Sequence, residues 1–278
     1  MVDDQDSWRA IGVDVQTPSA ARVYDAYLGG AHNFAADREF VARAKEILPH
    51  IADVARWNRT FLRRAVHTML DAGIDQFLDL GAGLPTAGAT HELAQHHDPH
   101  ARVVYVDNEP VAVAQTEQLL RDVPGTTVVR GDFLEPEEVL AAAGTREQLD
   151  FTRPIGVLAV ALLHFMPGSR HPEAALERYK AALPSGSRLA ISHATVDGVP
   201  EPVRTQTLEF IKSYENTQNP GFVAREELEF RRFFTGWELL DPGVTYTSEW
   251  RSDLVGVDPS DESAPENAVC FAAVAQKP

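Results

Sequence analysis

The sequence predicts an α/β fold: a doubly wound, mostly parallel seven-stranded sheet with helices on both faces. From residue 76 onward, continuous apolar segments of strand length alternate with segments of helical periodicity. Three consecutive strand segments end on a glycine or an acidic residue. Because parallel strands bring their carboxyl ends to one edge of a sheet, this pattern predicts a ligand-binding edge.

The residues before position 76 predict a helical cap over residues 17–73, after a poorly ordered N-terminus at 1–16. Thr17 offers a capping hydroxyl ahead of a proline, and Gly29 can supply the left-handed turn that ends a helix. Asp37 is expected to cap a second helix. The three predicted helices are 17–28, 37–48 and 51–70.

Residues 74–278 are expected to form the ligand-binding domain, in one globule with the cap. The predicted strands are 76–80, 102–107, 127–131, 155–161 and 188–193. The predicted helices between them are 87–97, 110–121, 136–143 and 172–182. Two further strand patterns, at 237–240 and 268–275, have no helical pattern between them. They predict an antiparallel hairpin that closes the sheet.

The first strand runs into the glycine turn Gly81-Ala82-Gly83, where the backbone can approach a ligand that a Cβ would block. The second strand stops on Asp107. A carboxylate there can accept hydrogen bonds from both hydroxyls of a ribose, each worth roughly 1.5–3 kcal/mol. The pattern therefore predicts an adenosine-type cofactor, contacted by these four residues.

Two cofactors compete for this site. NAD-binding folds have a third glycine at a position that Thr86 occupies here. Asp79 would repel a pyrophosphate, but it suits the ammonium and sulfonium of S-adenosylmethionine. Asp132, at the end of the third strand, is placed to accept a hydrogen bond from the adenine amino group, with Phe133 covering the ring. These acids favour S-adenosylmethionine, while an NAD-dependent oxidoreductase stays open.

The amino-acid composition limits the classes of substrate and the cellular compartments that fit this chain. With 25 basic and 41 acidic residues, the formal charge is −16, which argues against nucleic acid and favours a small-molecule substrate. The single cysteine fits a reducing compartment. No signal-peptide pattern and no apolar run of the ~20 residues that span a bilayer occur. A cytoplasmic protein without membrane contact is expected; oligomeric state cannot be deduced from the sequence.

The histidines between His91 and His100 suggest a metal site, but their spacing is not that of the zinc motif His-Glu-x-x-His. Cations at the negative end of a helix dipole are the simpler explanation. No metal is therefore expected.

Seven segments of the chain match a known family; they are 18–30, 33–38, 58–66, 76–86, 104–108, 163–165 and 186–195. Through them the sequence resembles the S-adenosylmethionine-dependent methyltransferase-like proteins long carried as a domain of unknown function. The resemblance covers nearly the whole chain and implies a class I methyltransferase fold that binds S-adenosylmethionine. It does not imply a substrate.

The resemblance adds candidate residues. For several cap residues it implies a role in cofactor binding or in a lid over the substrate, the alternative being packing between helical segments. These residues are Tyr24, Tyr27, Gly30, Asn33 and Arg59. Asn108, beside the second-strand acid, is a candidate adenine contact. His164 follows the fourth strand, where class I methyltransferases often place a base or a substrate contact, and His193, at the end of the fifth, is a second candidate.

The expected function is therefore methyl transfer from S-adenosylmethionine to an unidentified small molecule by in-line displacement. Positioning the reactants can supply ~7–11 kcal/mol. A general base such as His164 would add roughly 10²–10⁴-fold. A non-catalytic binder of the same cofactor stays open as well. Five aromatic residues are expected either to line an apolar substrate pocket or to form core: Tyr214, Phe222, Phe230, Phe233 and Phe234.

Overall fold

The computed structural model describes residues 14–86, 88–254 and 265–278. Most of the segment predicted to be poorly ordered, 1–16, lies outside these ranges. The described α-helices are α1 (Ala20–Tyr27), α2 (Ala35–Ile47), α3 (Ile51–Leu70), α4 (Thr90–His97), α5 (Pro110–Leu120), α6 (Pro136–Ala141), α7 (Ala143–Gln148), α8 (Pro172–Ala182), α9 (Val203–Ser213) and α10 (Glu227–Arg232). The strands are β1 (Gln76–Leu80), β2 (Arg102–Asp107), β3 (Thr126–Arg130), β4 (Gly156–Val160), β5 (Arg188–Ala194), β6 (Glu238–Leu239), β7 (Thr245–Tyr246) and β8 (Cys270–Gln276).

The strands form one sheet in the order β3-β2-β1-β4-β5-β8-β6, with β7 also paired to β8. Strands β1 to β5 are parallel, and β8 runs antiparallel to β5. The predicted doubly wound, mostly parallel sheet with antiparallel C-terminal strands is thereby confirmed. Chain order reverses at β1, which lies between β2 and β4, so the carboxyl end of β1 is the topological switch point.

The described sheet has eight strands where seven were predicted. The last edge position is divided: β6 pairs with the end of β8, through Leu239 and Ala275, and β7 pairs with its start, through Tyr246 and Phe271. Pro242 lies between the two pieces and has no amide hydrogen to give to a ladder. The predicted strand at 237–240 is thus a two-residue strand at its centre.

Helix boundaries differ from the prediction at several places. Helix α1 begins at Ala20 rather than at residue 17, with Ser19 and not Thr17 at its N-cap position. The helix predicted at 136–143 is two helices, because Ala142 between them is extended, with φ −56° and ψ 139°. Helix α4 begins at Thr90 rather than at residue 87. Asp37 does not precede α2; it lies in its first turn, where its Oδ2 accepts a hydrogen bond from the amide of Phe34 at 2.8 Å.

The sheet is buried on both faces, which explains its continuous apolar strands. Leu78 and Val104 pack on one side, against α6 and α8, whereas Phe77 and Val103 pack on the other, with the second half of α3. The first half of α3 packs instead with α1 and α2. Helix α3 therefore joins the cap to the sheet. Within the described ranges no helix has both the length and the apolar composition to cross a membrane.

Candidate functional site

A cavity of about 680 Å³ lies between the carboxyl ends of the parallel strands and helices α1, α3 and α9. Its volume falls in the range of roughly 300–1,000 Å³ that small-molecule sites occupy. It opens at the switch point of the sheet, where doubly wound folds bind ligands. Most of the residues predicted for the cofactor line it: Tyr24, Tyr27, Arg59, Asp79, Gly81, Ala82, Gly83, Asp107, Asn108, Asp132 and Phe133.

The glycine turn after β1 adopts the backbone that its residues were predicted to allow. Gly81 and Gly83 have φ values of +64° and +61°, in the left-handed region that favours glycine. A Cβ on Gly81 would overlap the side chain of Leu162, which follows β4. The turn is fastened to β2, because the Ala82 amide donates to Val106 O at 3.1 Å and the Gly83 amide to Asp107 Oδ2 at 2.8 Å.

Asp107 organises the end of β2. Its Oδ1 accepts from the amide of Glu109 at 2.9 Å, so both carboxylate oxygens hold backbone amides. Burial raises the pKa of Asp107, while the amides of Glu109, Gly83 and Asn108 oppose that rise. Each carboxylate oxygen has a second acceptor position, so the side chain can still accept hydrogen bonds from a ligand in the cavity.

Asp79 is 7% exposed and lies at the end of β1. The hydroxyl of Thr90, at the start of α4, donates to its Oδ2 at 2.7 Å. Burial raises the pKa of Asp79 to about 6; the Thr90 hydrogen bond and the charge of Arg59 lower it, and Asp107 raises it further. The site thus holds an acid that a bound cation would readily ionise.

Asp132 and Phe133 follow β3. Asp132 Oδ1 accepts from the amide of Leu134 at 2.9 Å, and Oδ2 lies 3.6 Å from a guanidinium nitrogen of Arg170. Phe133 is buried and stacks on Tyr179 with ring centroids 5.4 Å apart. Asp132 therefore caps the loop after β3 through the Leu134 amide, and it also lines the cavity.

The cap residues divide into two groups. Tyr24 donates to Ala55 O at 3.1 Å and accepts from Asn58 Nδ2 at 2.9 Å. The guanidinium of Arg59 lies over the Tyr24 ring, 5.6 Å from its centroid. Among the described residues, the buried Arg59 Nε has no hydrogen-bond partner. The buried Tyr27 hydroxyl also has no hydrogen-bond partner among the described residues, so Tyr24, Tyr27 and Arg59 face the cavity with two unmatched donors.

Gly30 and Asn33, the other two cap candidates, do not line this cavity. Asn33 Nδ2 donates to Asp25 Oδ2 and to Gly30 O, both at 2.9 Å. A Cβ on Gly30 would overlap the Asp25 carboxylate. The turn after α1 folds around Asp25 instead, and it is Asp25 that reaches the cavity wall.

The two candidate histidines have different surroundings. His193 is fully buried and does not line the cavity. Its Nδ1 donates to Ala194 O at 2.8 Å, and its Nε2 accepts from Arg225 at 2.5 Å. Burial, helped by Arg225, lowers the pKa of His193 to about 3, so this imidazole stays neutral with both nitrogens engaged.

His164 does line the cavity and is 6% exposed. Its Nδ1 is buried without a hydrogen-bond partner among the described residues. Burial, followed by the neighbouring His193 and Arg225, lowers the pKa of His164 well below its ordinary value. It is thus a neutral imidazole that can accept a proton or a hydrogen bond in the cavity.

Several cavity residues were not selected from the sequence as site residues. Asn58 links two walls, because its Oδ1 accepts from Ser192 Oγ at 2.5 Å and its Nδ2 donates to Tyr24. Phe165 and Phe210 join Tyr214 and Phe222 on the wall away from the acids. Asn58 and Phe165 stood in segments that carried the family resemblance, and that was the available signal.

The predicted aromatic set separates into pocket and core. Tyr214 and Phe222 line the cavity, whereas Phe230, Phe233 and Phe234 are buried in the core on one face of the sheet.

The histidine-rich segment forms part of α4, where His91 hydrogen-bonds with the Tyr105 hydroxyl at 2.8 Å. No group of three metal-binding side chains occurs in the part of the chain that the structure describes.

Gly81→Ala is expected to lower the free energy of unfolding by about 2–4 kcal/mol, from the left-handed backbone and the clash with Leu162. Gly29→Ala is the matched control: φ there is +79°, but no atom lies within 4 Å of the added Cβ. It should cost about 1 kcal/mol. Urea unfolding measures both, and equal losses would show that the Leu162 contact is unimportant.

The chain is similar to known proteins over nearly its whole length. A family model described as S-adenosyl methyltransferase matches residues 6–278. A DUF574 family protein from Streptomyces avermitilis MA-4680 has 33% identity and a TM-score of 0.88, over 95% of this chain and 99% of its own. A methyltransferase candidate from Thermobifida fusca YX has 37% identity and a TM-score of 0.86, over 97% and 98%. No curated protein matches. The resemblance found in the sequence is confirmed, and the chain belongs to the S-adenosyl methyltransferase family.

Proposed function

We propose that the cavity binds S-adenosylmethionine and that the enzyme transfers its methyl group to a small-molecule acceptor. One observation carries the proposal: in a chain of this family, Asp79, Asp107 and Asp132 lie at or just beyond the carboxyl ends of three adjacent parallel strands, and all line one cavity with the glycine turn. A dinucleotide fits less well, because a buried acid in the mouth of the turn would face its pyrophosphate.

The residues present match the chemistry of the cofactor. Asp107 is suited to the two ribose hydroxyls, and the glycine turn lets the backbone approach them. Asn108 and Asp132 offer polar atoms to the adenine, beside Phe133. The unmatched Nε of Arg59 suits the carboxylate of the amino-acid part, and Asp79 suits its ammonium. The cofactor, when bound, supplies an activated methyl group.

The chain itself supplies alignment and proton acceptance. Holding two reactants in line can contribute ~7–11 kcal/mol. His164 is the residue we assign as general base, because it lines the cavity and its lowered pKa keeps the imidazole unprotonated at neutral pH. A low pKa also makes it a weak base, so alignment is expected to carry most of the rate.

The proposal also covers the division of the chain into cap and methyltransferase domain, the class of acceptor and the cellular compartment. Residues 17–73 would act as the cap and 74–278 as the methyltransferase domain, with the cavity between them. The charge of −16 supports a small molecule rather than nucleic acid as acceptor. We place the reaction in the cytoplasm, which the single cysteine supports.

Calorimetric titration with S-adenosylmethionine, S-adenosylhomocysteine and NAD tests the cofactor. We expect micromolar affinity for the first two and no heat from NAD. An NAD isotherm without the others would favour the oxidoreductase. Binding of S-adenosylmethionine without methyl transfer to any acceptor in a labelled-methyl screen would favour the non-catalytic binder.

The affinity for both sulfur ligands should depend on the ionisation of Asp79, since both carry an ammonium. With a pKa of about 6, Asp79 is protonated below that pH, so affinity should fall by up to about tenfold per pH unit there. Asp79→Asn should weaken binding at pH 7.5 and remove this slope. Thr90→Val should move the midpoint upward, because the Thr90 hydroxyl lowers the pKa of Asp79. A slope unchanged in Asp79→Asn would assign the proton to another group.

A further inference from the structure

Beyond the acidic end, the cavity contains an aromatic compartment, formed by Phe165, Phe210, Tyr214 and Phe222. Phe222 lies at its centre. Its ring centroid is 5.0 Å from those of Phe165 and Tyr214, and 5.9 Å from that of Phe210. These rings come from three separate parts of the chain, and they converge on the wall opposite the carboxyl ends of β2 and β3.

The compartment is apolar and without charge of its own. Burial raises the pKa of Tyr214, and no charged residue contributes to that rise. Burial alone raises the pKa of the neighbouring Cys270 thiol to about 12. Of the nearby arginines, Arg59 lies over the Tyr24 ring and Arg170 lies beside Asp132. Arg225 bonds to Leu163 O, Met166 O and His193 and does not line the cavity. A charged group placed here would lose its hydration without gaining a partner.

His164 lies where the compartment meets the glycine turn. Its ring centroid is 4.5 Å from those of Phe165 and Phe222. Two residues before it, the Leu162 side chain lies against Gly81. Because the buried Nδ1 has no partner among the described residues, the imidazole is an unsatisfied polar group beside an apolar wall.

We propose that the methyl acceptor is an uncharged, planar aromatic compound whose ring occupies the aromatic compartment and whose hydroxyl donates a hydrogen bond to His164. The inference rests on the proposed function and gives its acceptor a chemical class. Aromatic rings pair best edge-on or offset, with centroids about 4.5–7 Å apart, and the walls of the compartment offer both orientations to a flat ligand. A ligand hydroxyl can also donate to the acceptor nitrogen of the neutral His164 imidazole.

The test uses the full-length protein saturated with S-adenosylhomocysteine and three probes that share a fused two-ring skeleton. These are 2-naphthol, its saturated analogue decahydro-2-naphthol, and 2-naphthoate. We expect 2-naphthol to bind about tenfold more tightly than the saturated analogue, since only the flat ring pairs with the aromatic walls. The carboxylate should bind weakest of the three, because it would be buried without a partner.

Variants assign the binding to the compartment. Phe222→Leu keeps an apolar side chain but removes the flat ring, so it should abolish the preference for 2-naphthol while leaving the affinity for S-adenosylhomocysteine unchanged. His164→Leu should weaken the binding of both 2-naphthol and decahydro-2-naphthol, because both carry the hydroxyl that donates to the imidazole. Phe151→Leu is the matched control, because Phe151 is partly buried against Arg146 and does not line the cavity. Phe151→Leu should leave the affinities for 2-naphthol and decahydro-2-naphthol unchanged.

The outcomes separate the two proposals. If S-adenosylhomocysteine binds but the protein does not prefer 2-naphthol over its saturated analogue, the aromatic acceptor is wrong and the methyltransferase assignment stands. The same conclusion follows if Phe222→Leu and Phe151→Leu show the same preference for 2-naphthol over its saturated analogue. If S-adenosylhomocysteine itself fails to bind, the proposed cofactor site is wrong, and the acceptor inference falls with it.

Discussion

Replacing Arg22 by methionine is expected to lower the free energy of unfolding by about 3–5 kcal/mol. Arg22, on α1, has no solvent exposure. Its Nε lies 2.9 Å from Asp37 Oδ2, and one guanidinium nitrogen lies 2.8 Å from Glu109 Oε1. A methionine fills much of the same space, but it would leave two buried carboxylates without their cation.

The loss should spread beyond the ion pairs, because the two acids also hold backbone amides. Asp37 accepts from Ser19 and Phe34, at the starts of α1 and α2. Glu109 accepts from Ala112 in the first turn of α5, and its own amide donates to Asp107. Arg22 therefore connects the cap to the loop that follows β2, at the edge of the candidate cofactor site.

Urea unfolding followed by circular dichroism measures the effect. Arg56→Met is the control, since Arg56 pairs with Asp53 at the surface and should contribute at most about 1 kcal/mol. Adding Asp37→Asn and Glu109→Gln to Arg22→Met should restore part of the stability, because it removes the unpaired charges. If Arg22→Met lowers the free energy of unfolding no more than Arg56→Met does, the buried cluster contributes no net stability.

Buried arginines mark one limit of what the sequence can predict. The first two strands were predictable to the residue, because a parallel strand covered on both faces is apolar throughout. An arginine, by contrast, is expected at the surface unless its partners are known. Arg64, on α3, is fully buried and donates to Ser248 O and Trp250 O. Those partners lie more than 180 residues away, beyond any local pattern.

The histidines and aromatic residues mark a second limit. His164 and His193 both follow apolar strand segments, so the sequence placed both at the binding edge. His193 lies inside β5, and its pleat points the ring toward Arg225 rather than toward the cavity. Phe222 and Phe230 are only eight residues apart, yet one lines the cavity and the other packs on the sheet. Their positions depend on how the segment after α9 crosses the end of β5, which no short-range pattern encodes.

The acids at the strand ends were predictable for the opposite reason. Strand ends are local features, and parallel pairing then brings them together without further information. Val106 pairs with Leu80 and with Val129, so the end of β2 meets the ends of both neighbours. The same register places Asp107 next to the glycine turn that it fastens. The acidic part of the cavity is thus encoded locally, whereas its aromatic part depends on tertiary packing.

Asp107→Asn is expected to weaken S-adenosylhomocysteine binding by about 100-fold. Two charge-assisted hydrogen bonds to ribose hydroxyls, at the lower end of their usual strength, amount to about 3 kcal/mol. The variant loses more than charge. Both oxygens of Asp107 accept backbone amides, from Gly83 and Glu109, and an asparagine offers only one oxygen. Its NH₂ group would face one of those amides, which loosens the glycine turn.

An analogue of S-adenosylhomocysteine without the 2′-hydroxyl separates the ribose contact from the loosened turn. If Asp107 binds the ribose, the wild-type protein should bind the analogue at least tenfold more weakly than the parent ligand, and Asp107→Asn should discriminate little between them. Asp122→Asn, in the exposed turn after α5, should leave both affinities unchanged. If Asp107→Asn keeps the full discrimination, then Asp107 only holds the glycine turn, and the ribose hydroxyls bind to another residue.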